Sequence, residues 1–274
     1  MTIKETEILR MSIDELAKII KQNKITCYKL CKIFINQINK YENKINGMAY
    51  DCFEDALNIA TYYDLKYNKL KLKKSNLSSL PKYFGVPVTI KESFELPGKP
   101  FTWGYSNRKN ILGKKLNPLC SRLIKNGMII IASTNIPEGC SWIESSNKIY
   151  GTTSNPYDLN RTAGGSSGGS GALVAICGSP ISLCSDALGS IRIPALYNGI
   201  FGHKTTGGCI KGWYDDNKST DILDDYAQGG ILCKYSKELW PITDLLMENN
   251  IYTKLVRKYD YSNLKLDQIT FIYI

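Results

Sequence analysis

Two serine-rich stretches and one lysine hold the residues of this chain best suited to chemistry. The stretches are Gly164-Gly-Ser-Ser-Gly-Gly-Ser-Gly171 and Ser185-Asp-Ala-Leu-Gly-Ser-Ile-Arg-Ile-Pro194, and Lys91 ends the apolar run Gly85-Val-Pro-Val-Thr-Ile90. A glycine-rich turn can cradle phosphate on its backbone N–H groups. Here the Gly-Lys-Ser/Thr ending of a phosphate loop is missing, and its nearest likeness, His203-Lys204-Thr205, has His where Gly is needed. Gly165-Ser-Ser-Gly-Gly169 also fits a nucleophile elbow centred on Ser167. That mechanism needs an acid and then a histidine downstream, and the only histidine, His203, follows within 36 residues, which argues against a Ser-His-Asp triad. A buried lysine can activate a serine instead, because desolvation disfavours the ammonium form. A lysine at a strand end, read alone, is a solvated charge; Lys91 is a candidate because an apolar strand would carry it inward to the C-terminal end of a sheet.

Taken together, GVPVTIKES, GGSSGGSGAL and SDALGSIRIP resemble the amidase-signature family, with likeness over most of residues 10 to 245. Thr134-Asn-Ile-Pro137, Glu144 to Gly151, Asn155-Pro-Tyr-Asp158 and Gly199 to Lys204 are most similar to its animal fatty acid amide hydrolase branch, second type. By position, the resemblance implies Ser190 as acyl-forming nucleophile, Ser166 as a bridging serine on a cis peptide, and Lys91 as base. It implies an oxyanion hole from the N–H groups of Ala187, Leu188, Gly189 and Ser190, with Ser167, Asp186 and Arg192 in support. Cys140, Trp142 and Ile143 would line an acyl-chain channel. Neither metal nor organic cofactor is expected. The substrate would be a small amide, with a fatty acid amide as the particular case, and a homodimer is admitted.

Two departures stand out. The family has glycine where this chain has Leu188, and if that position needs positive φ the misfit is on the order of 1–2 kcal/mol. The final run, Ile269 to Ile274, reads as a core strand, whereas the family continues past it. The chain is therefore expected to be a partial, C-terminally truncated domain. The rival readings are a non-catalytic remnant that binds a lipid or partner, and the glutamine-hydrolysing component of an amidotransferase.

The elements that must position these residues are legible in part. Ser12-Ile-Asp-Glu15 is a capping box that opens a helix over about 12–22. A second helix follows Thr26 with Leu30, Ile33, Phe34 and Ile38 on one face, and a third carries Phe53, Ala56, Leu57 and Ala60. Residues 1–66 thus read as a helical segment, 67–80 as a Ser/Lys/Asn linker, and 81–274 as an α/β core within one domain. In the core, apolar runs at Val86 to Ile90, Met128 to Ala132, Ile181 to Cys184 and Gly199 to Phe201 read as strands. Asn117-Pro118 opens a helix that Asn126-Gly127 closes, and Ala172 to Cys177 is a small-residue segment. Strand and helix alternating in this way predicts a mixed central sheet flanked by helices.

Composition bounds the rest. Among 274 residues, 43% are hydrophobic and 22% charged, which is too apolar for disorder. Nine cysteines without a C-x-x-C pair and a single His argue for reduced thiols rather than zinc. The net charge of +10 is spread along the chain, densest at Lys66 to Lys74, and no nucleic-acid partner is expected. The charged N-terminus does not read as a signal peptide, no membrane association is expected from the sequence, and the cytoplasm is the expected compartment.

Overall fold

The computed structural model describes residues 3–72, 77–210 and 226–247, together with Lys254. Local sequence sets the helix starts. After a short helix Glu5–Ile8 (α1), Ser12 accepts from the Glu15 N–H while the Glu15 carboxylate accepts from the Ser12 N–H at 2.7 Å, opening Ile13–Lys21 (α2). Thr26 caps Cys27–Ile45 (α3), whose Leu30, Ile33, Phe34 and Ile38 are buried. Phe53–Leu72 (α4) comes next. Asn117 caps Pro118–Lys125 (α5), with proline in the first turn, where its missing N–H costs no hydrogen bond. Gly168–Ala175 (α6), Arg192–Tyr197 (α7) and Leu239–Leu246 (α8) complete the helices of the described residues.

The strands are Met48–Asp51 (β1), Pro87–Lys91 (β2), Ile129–Thr134 (β3), Ser146–Asn147 (β4), Gly151–Thr152 (β5), Ser154–Asn155 (β6), Asp158–Thr162 (β7), Ile181–Asp186 (β8), Phe201–Lys204 (β9) and Gln228–Cys233 (β10). Six form a mixed sheet in the order β1-β3-β2-β8-β10-β9. Its centre, β3-β2-β8, is parallel, and β1, β10 and β9 pair antiparallel on the flanks. Every residue of β2, β3, β8 and β10 is buried. Strands covered on both faces lose polar alternation, which is why they read as continuous apolar runs.

The structure departs from the expected layout in several places, among them the expected strand Gly199 to Phe201, which begins only at Phe201 and runs to Lys204. The α4 helix runs through the first part of the expected 67–80 linker, where Lys69 and Lys71 complement the negative end of the helix dipole. The expected helical segment 1–66 also contains β1, a four-residue strand too short to signal itself. The α6 helix begins within the glycine run, at Gly168, ahead of the Ala172 to Cys177 segment. The β10 strand does not announce itself in the sequence, because Gly229-Gly230 imitates a turn. An added Cβ at Gly230 would sit 2.3 Å from the His203 carbonyl oxygen, so close strand approach requires the glycine. The expected strand Ile269 to Ile274 lies outside the described residues.

Candidate active site

The parallel β2 and β8 strands run side by side, and their C-terminal ends lead into Lys91 and the turn carrying Ser190. Lys91, the last residue of β2, is fully buried, and its Nζ donates to Ser166 Oγ at 2.7 Å. Two weaker contacts steady it, to Ser185 Oγ at 3.3 Å and to the Ser185 carbonyl at 3.4 Å. Among the described residues no carboxylate forms an ion pair with this amine.

Ser166 lies on the turn into α6, and the Gly165–Ser166 peptide is cis. The glycines around it make room for neighbouring backbone. A Cβ on Gly165 would lie 2.3 Å from the Trp142 carbonyl oxygen, and one on Gly169 would lie 2.4 Å from both Asn135 N and Gly47 O. Ser145 ties the turn down: its Oγ donates to the Gly164 carbonyl at 3.0 Å and accepts from the Gly168 N–H at 2.8 Å.

Ser190 is partly exposed on the turn after β8. Its carbonyl accepts from the Ser167 N–H at 3.2 Å, so the turns carrying the two serines are directly joined. Asp186 folds the Ser190 turn around itself. Its Oδ1 accepts from the Gly189 N–H at 2.7 Å, and its Oδ2 accepts from the Ile191 and Arg192 N–H groups at 3.0 and 3.2 Å. The Arg192 guanidinium closes a two-pronged pair with it at 3.0 Å on each prong. Burial alone would raise the Asp186 pKa, but Arg192 and the three N–H donors outweigh it and hold the group at about 2.

Several expected site residues behave differently from the sequence reading. The Gly189 N–H, one of the four expected oxyanion donors, is instead taken up by Asp186. Leu188 is absent from the positive-φ residues, and the left-handed demand falls on Gly189 at φ 123°. Leucine at 188 therefore fits the backbone, and its side chain is 88% exposed. The Ser167 hydroxyl is buried toward the Cys184 thiol, and the residue is tied to the Ser190 turn through its N–H. Cys140 is half-buried, while Trp142 and Ile143 are 67% and 60% exposed, with their backbone against Gly165. The backbone of Trp142 and Ile143 forms a lip beside the Gly165–Ser166 peptide.

Two residues the sequence reading passed over stand in the site: Ser185, which contacts the Lys91 amine, and the buried Glu92. Both lie inside the quoted motifs, but their partners come from distant segments. His203, the only histidine, lies on β9 with Nδ1 3.0 Å from Thr243 Oγ1.

The family model described as Amidase matches residues 29–235. Human "Fatty-acid amide hydrolase 2" is 36% identical over 259 residues, covering 94% of this chain and 49% of that protein. A glutamyl-tRNA(Gln) amidotransferase component of Persephonella marina is 32% identical over 204 residues, covering 74% of this chain and 41% of that protein. A solved structure of "Fatty acid amide hydrolase" superposes with a TM-score of 0.77 at 26% identity, covering 100% of this chain and 46% of that one. The chain spans about half the length of the three fatty-acid amide hydrolase relatives it matches.

Proposed function

The chain belongs to the amidase family, and from that premise we propose that it cleaves carboxylic amides through a Ser190 acyl-enzyme. The observation that carries the reading is the 2.7 Å contact between the buried Lys91 amine and Ser166 Oγ, one turn-to-turn hydrogen bond from Ser190. In this scheme Lys91 takes the Ser190 hydroxyl proton through Ser166 as Ser190 Oγ attacks the amide carbonyl, and the proton then passes to the departing amine. Water releases the acid from the ester by the same route. The N–H groups of Ala187, Leu188 and Ser190 face the developing oxyanion, each worth on the order of 10²-fold in rate.

A fatty acid amide is the proposed substrate class. The exposed apolar lip of Trp142 and Ile143 beside Ser166 and the 36% identity to human fatty-acid amide hydrolase 2 support it. Free glutamine, the alternative suggested by the amidotransferase relative, would call for charged groups to hold its α-amino and carboxylate ends, whereas this lip is apolar. The site's own residues suffice for this chemistry without metal or organic cofactor.

The test is covalent labelling by a serine-reactive fluorophosphonate, read by intact mass. One adduct on the folded parent and none on Ser190→Ala is the expected result, and Lys91→Ala should slow labelling at least about 100-fold. A folded parent that takes no label overturns the proposal and leaves the non-catalytic remnant.

A further inference from the structure

A second buried carboxylate borders the site and takes no part in the proton route. Glu92 follows Lys91, and successive side chains at a strand end turn to opposite sides. Lys91 reaches Ser166 while the Glu92 carboxylate turns to residues 101–104. There it accepts from the Thr102 N–H at 2.6 Å, Thr102 Oγ1 at 2.9 Å, the Trp103 N–H at 2.9 Å and the Tyr150 hydroxyl at 3.4 Å.

The contacts continue to the serine. Trp103 is held in the left-handed region at φ 54°, and its carbonyl accepts from the Gly139 N–H at 2.7 Å. Gly104 packs so tightly on this segment that a Cβ would lie 3.1 Å from the Pro137 carbonyl oxygen. From Gly139 the chain runs through Cys140 to Trp142 and Ile143, whose backbone closes on Gly165, the residue before Ser166.

We propose that Glu92 is a positioning residue. Its carboxylate fixes the 138–144 lip against Gly165 and so sets where Ser166 meets the Lys91 amine. The inference rests on the serine-hydrolase reading for its effect on rate, but the lip contact can be tested apart from it. Four donors converging on one carboxylate distinguish acceptor from amide: a glutamine here would turn an NH₂ toward at least one N–H or hydroxyl that needs an acceptor.

The titratable groups facing Glu92 are Tyr150 from the segment after β4 and Tyr50 from β1, whose phenol is raised chiefly by burial and in part by the Glu92 charge, while Lys91 turns to the other side toward Ser166. Burial, opposed by its donors, lifts Glu92 to about 7, while Tyr150 is raised to about 12 by burial first. Neither tyrosine ionises near neutrality, so Glu92 is the carboxyl that changes charge there.

Glu92→Gln and Thr102→Val are to be compared with the parent by hydrogen–deuterium exchange over residues 137–144 and by fluorophosphonate labelling of Ser190 from pH 6 to 8. Glu92→Gln should exchange faster across the lip and label about 10- to 100-fold more slowly, with a flattened pH profile. Thr102→Val, which removes one donor to Glu92 and the acceptor of the Gly104 N–H, should shift both in the same direction by less. A folded Glu92→Gln with parental lip exchange and labelling overturns the proposal. If Glu92→Gln does not fold, unchanged lip exchange in Thr102→Val overturns it. A loosened lip in Glu92→Gln with no labelling of the parent supports the positioning contact and sinks the serine-hydrolase reading alone.

Discussion

Asp186 carries more of the Ser190 turn than any residue that would touch substrate. One carboxylate gathers three backbone N–H groups and a guanidinium, all within 3.2 Å. Asp186→Asn keeps the shape but turns an NH₂ toward donors that need an acceptor. It should destabilise the chain by about 2–3 kcal/mol and suppress labelling of Ser190. Urea titration followed by circular dichroism measures the first effect, and intact mass the second. Removing only the exposed partner, with Arg192→Gln, should have a smaller effect, because solvent already screens that side chain, 56% exposed. At this scale the sequence is informative where a residue's partner lies within its own motif, as Asp186 and Arg192 do. Glu92 escapes notice there because it is recognised only through Thr102, Trp103 and Tyr150, which belong to segments no local pattern joins to it.

Among the elements, the glycine run acts as a spacer between backbones. Gly165→Ala would set a Cβ 2.3 Å from a carbonyl oxygen, with no flexible side chain to yield. The expected loss is about 1–3 kcal/mol or more, together with slower labelling, measured by thermal unfolding and intact mass. The sequence marks this run as special but cannot say why, since the segments it lies against, at residues 47, 135 and 142–145, are known only from the fold. Helix starts are legible because a cap needs four residues of information. The β1 and β10 strands are not, being respectively short and glycine-bearing. A second elementary joint is Glu238, which accepts from the Ile13 N–H at the start of α2 at 2.8 Å and from the Tyr235 N–H at 3.3 Å. Burial lifts Glu238, like Glu92, from 4.5 to about 7 against the pull of these donors. A carboxyl raised on folding binds its proton more tightly in the folded chain. Its stabilising effect is complete below about pH 4.5 and is lost as pH rises through 7. Asp186, lowered on folding, works in the opposite sense and below pH 4, outside that window. The unfolding midpoint should therefore decline from pH 5 to pH 8 through these two glutamates, and Glu238→Gln should reduce that decline in a calorimetric pH series.

At the scale of the whole molecule, several large apolar side chains are exposed in the segments near the serines. Trp142, Ile143, Leu188 and Leu196 are all more than half exposed. Exposed apolar side chains near a site offer surface for ligand or protein contact. Trp142→Gln with Leu196→Gln should lower the fluorescence of a bound apolar dye while moving the unfolding free energy by only about 0.5 kcal/mol or less, as surface changes do. Among the described residues no helix is long and apolar enough to cross a membrane. The strand order has a further consequence, which concerns time. The chain makes β1, β2 and β3 first, and these three lie together on one side of the sheet, while β8, β9 and β10 fill the other. About fifty residues separate the end of β3 from the end of β8, roughly 3–10 s of ribosomal synthesis. The half-sheet carrying Lys91 can thus pair on the nascent chain before Ser190 has been polymerised, leaving the β2 edge unpaired until β8 arrives.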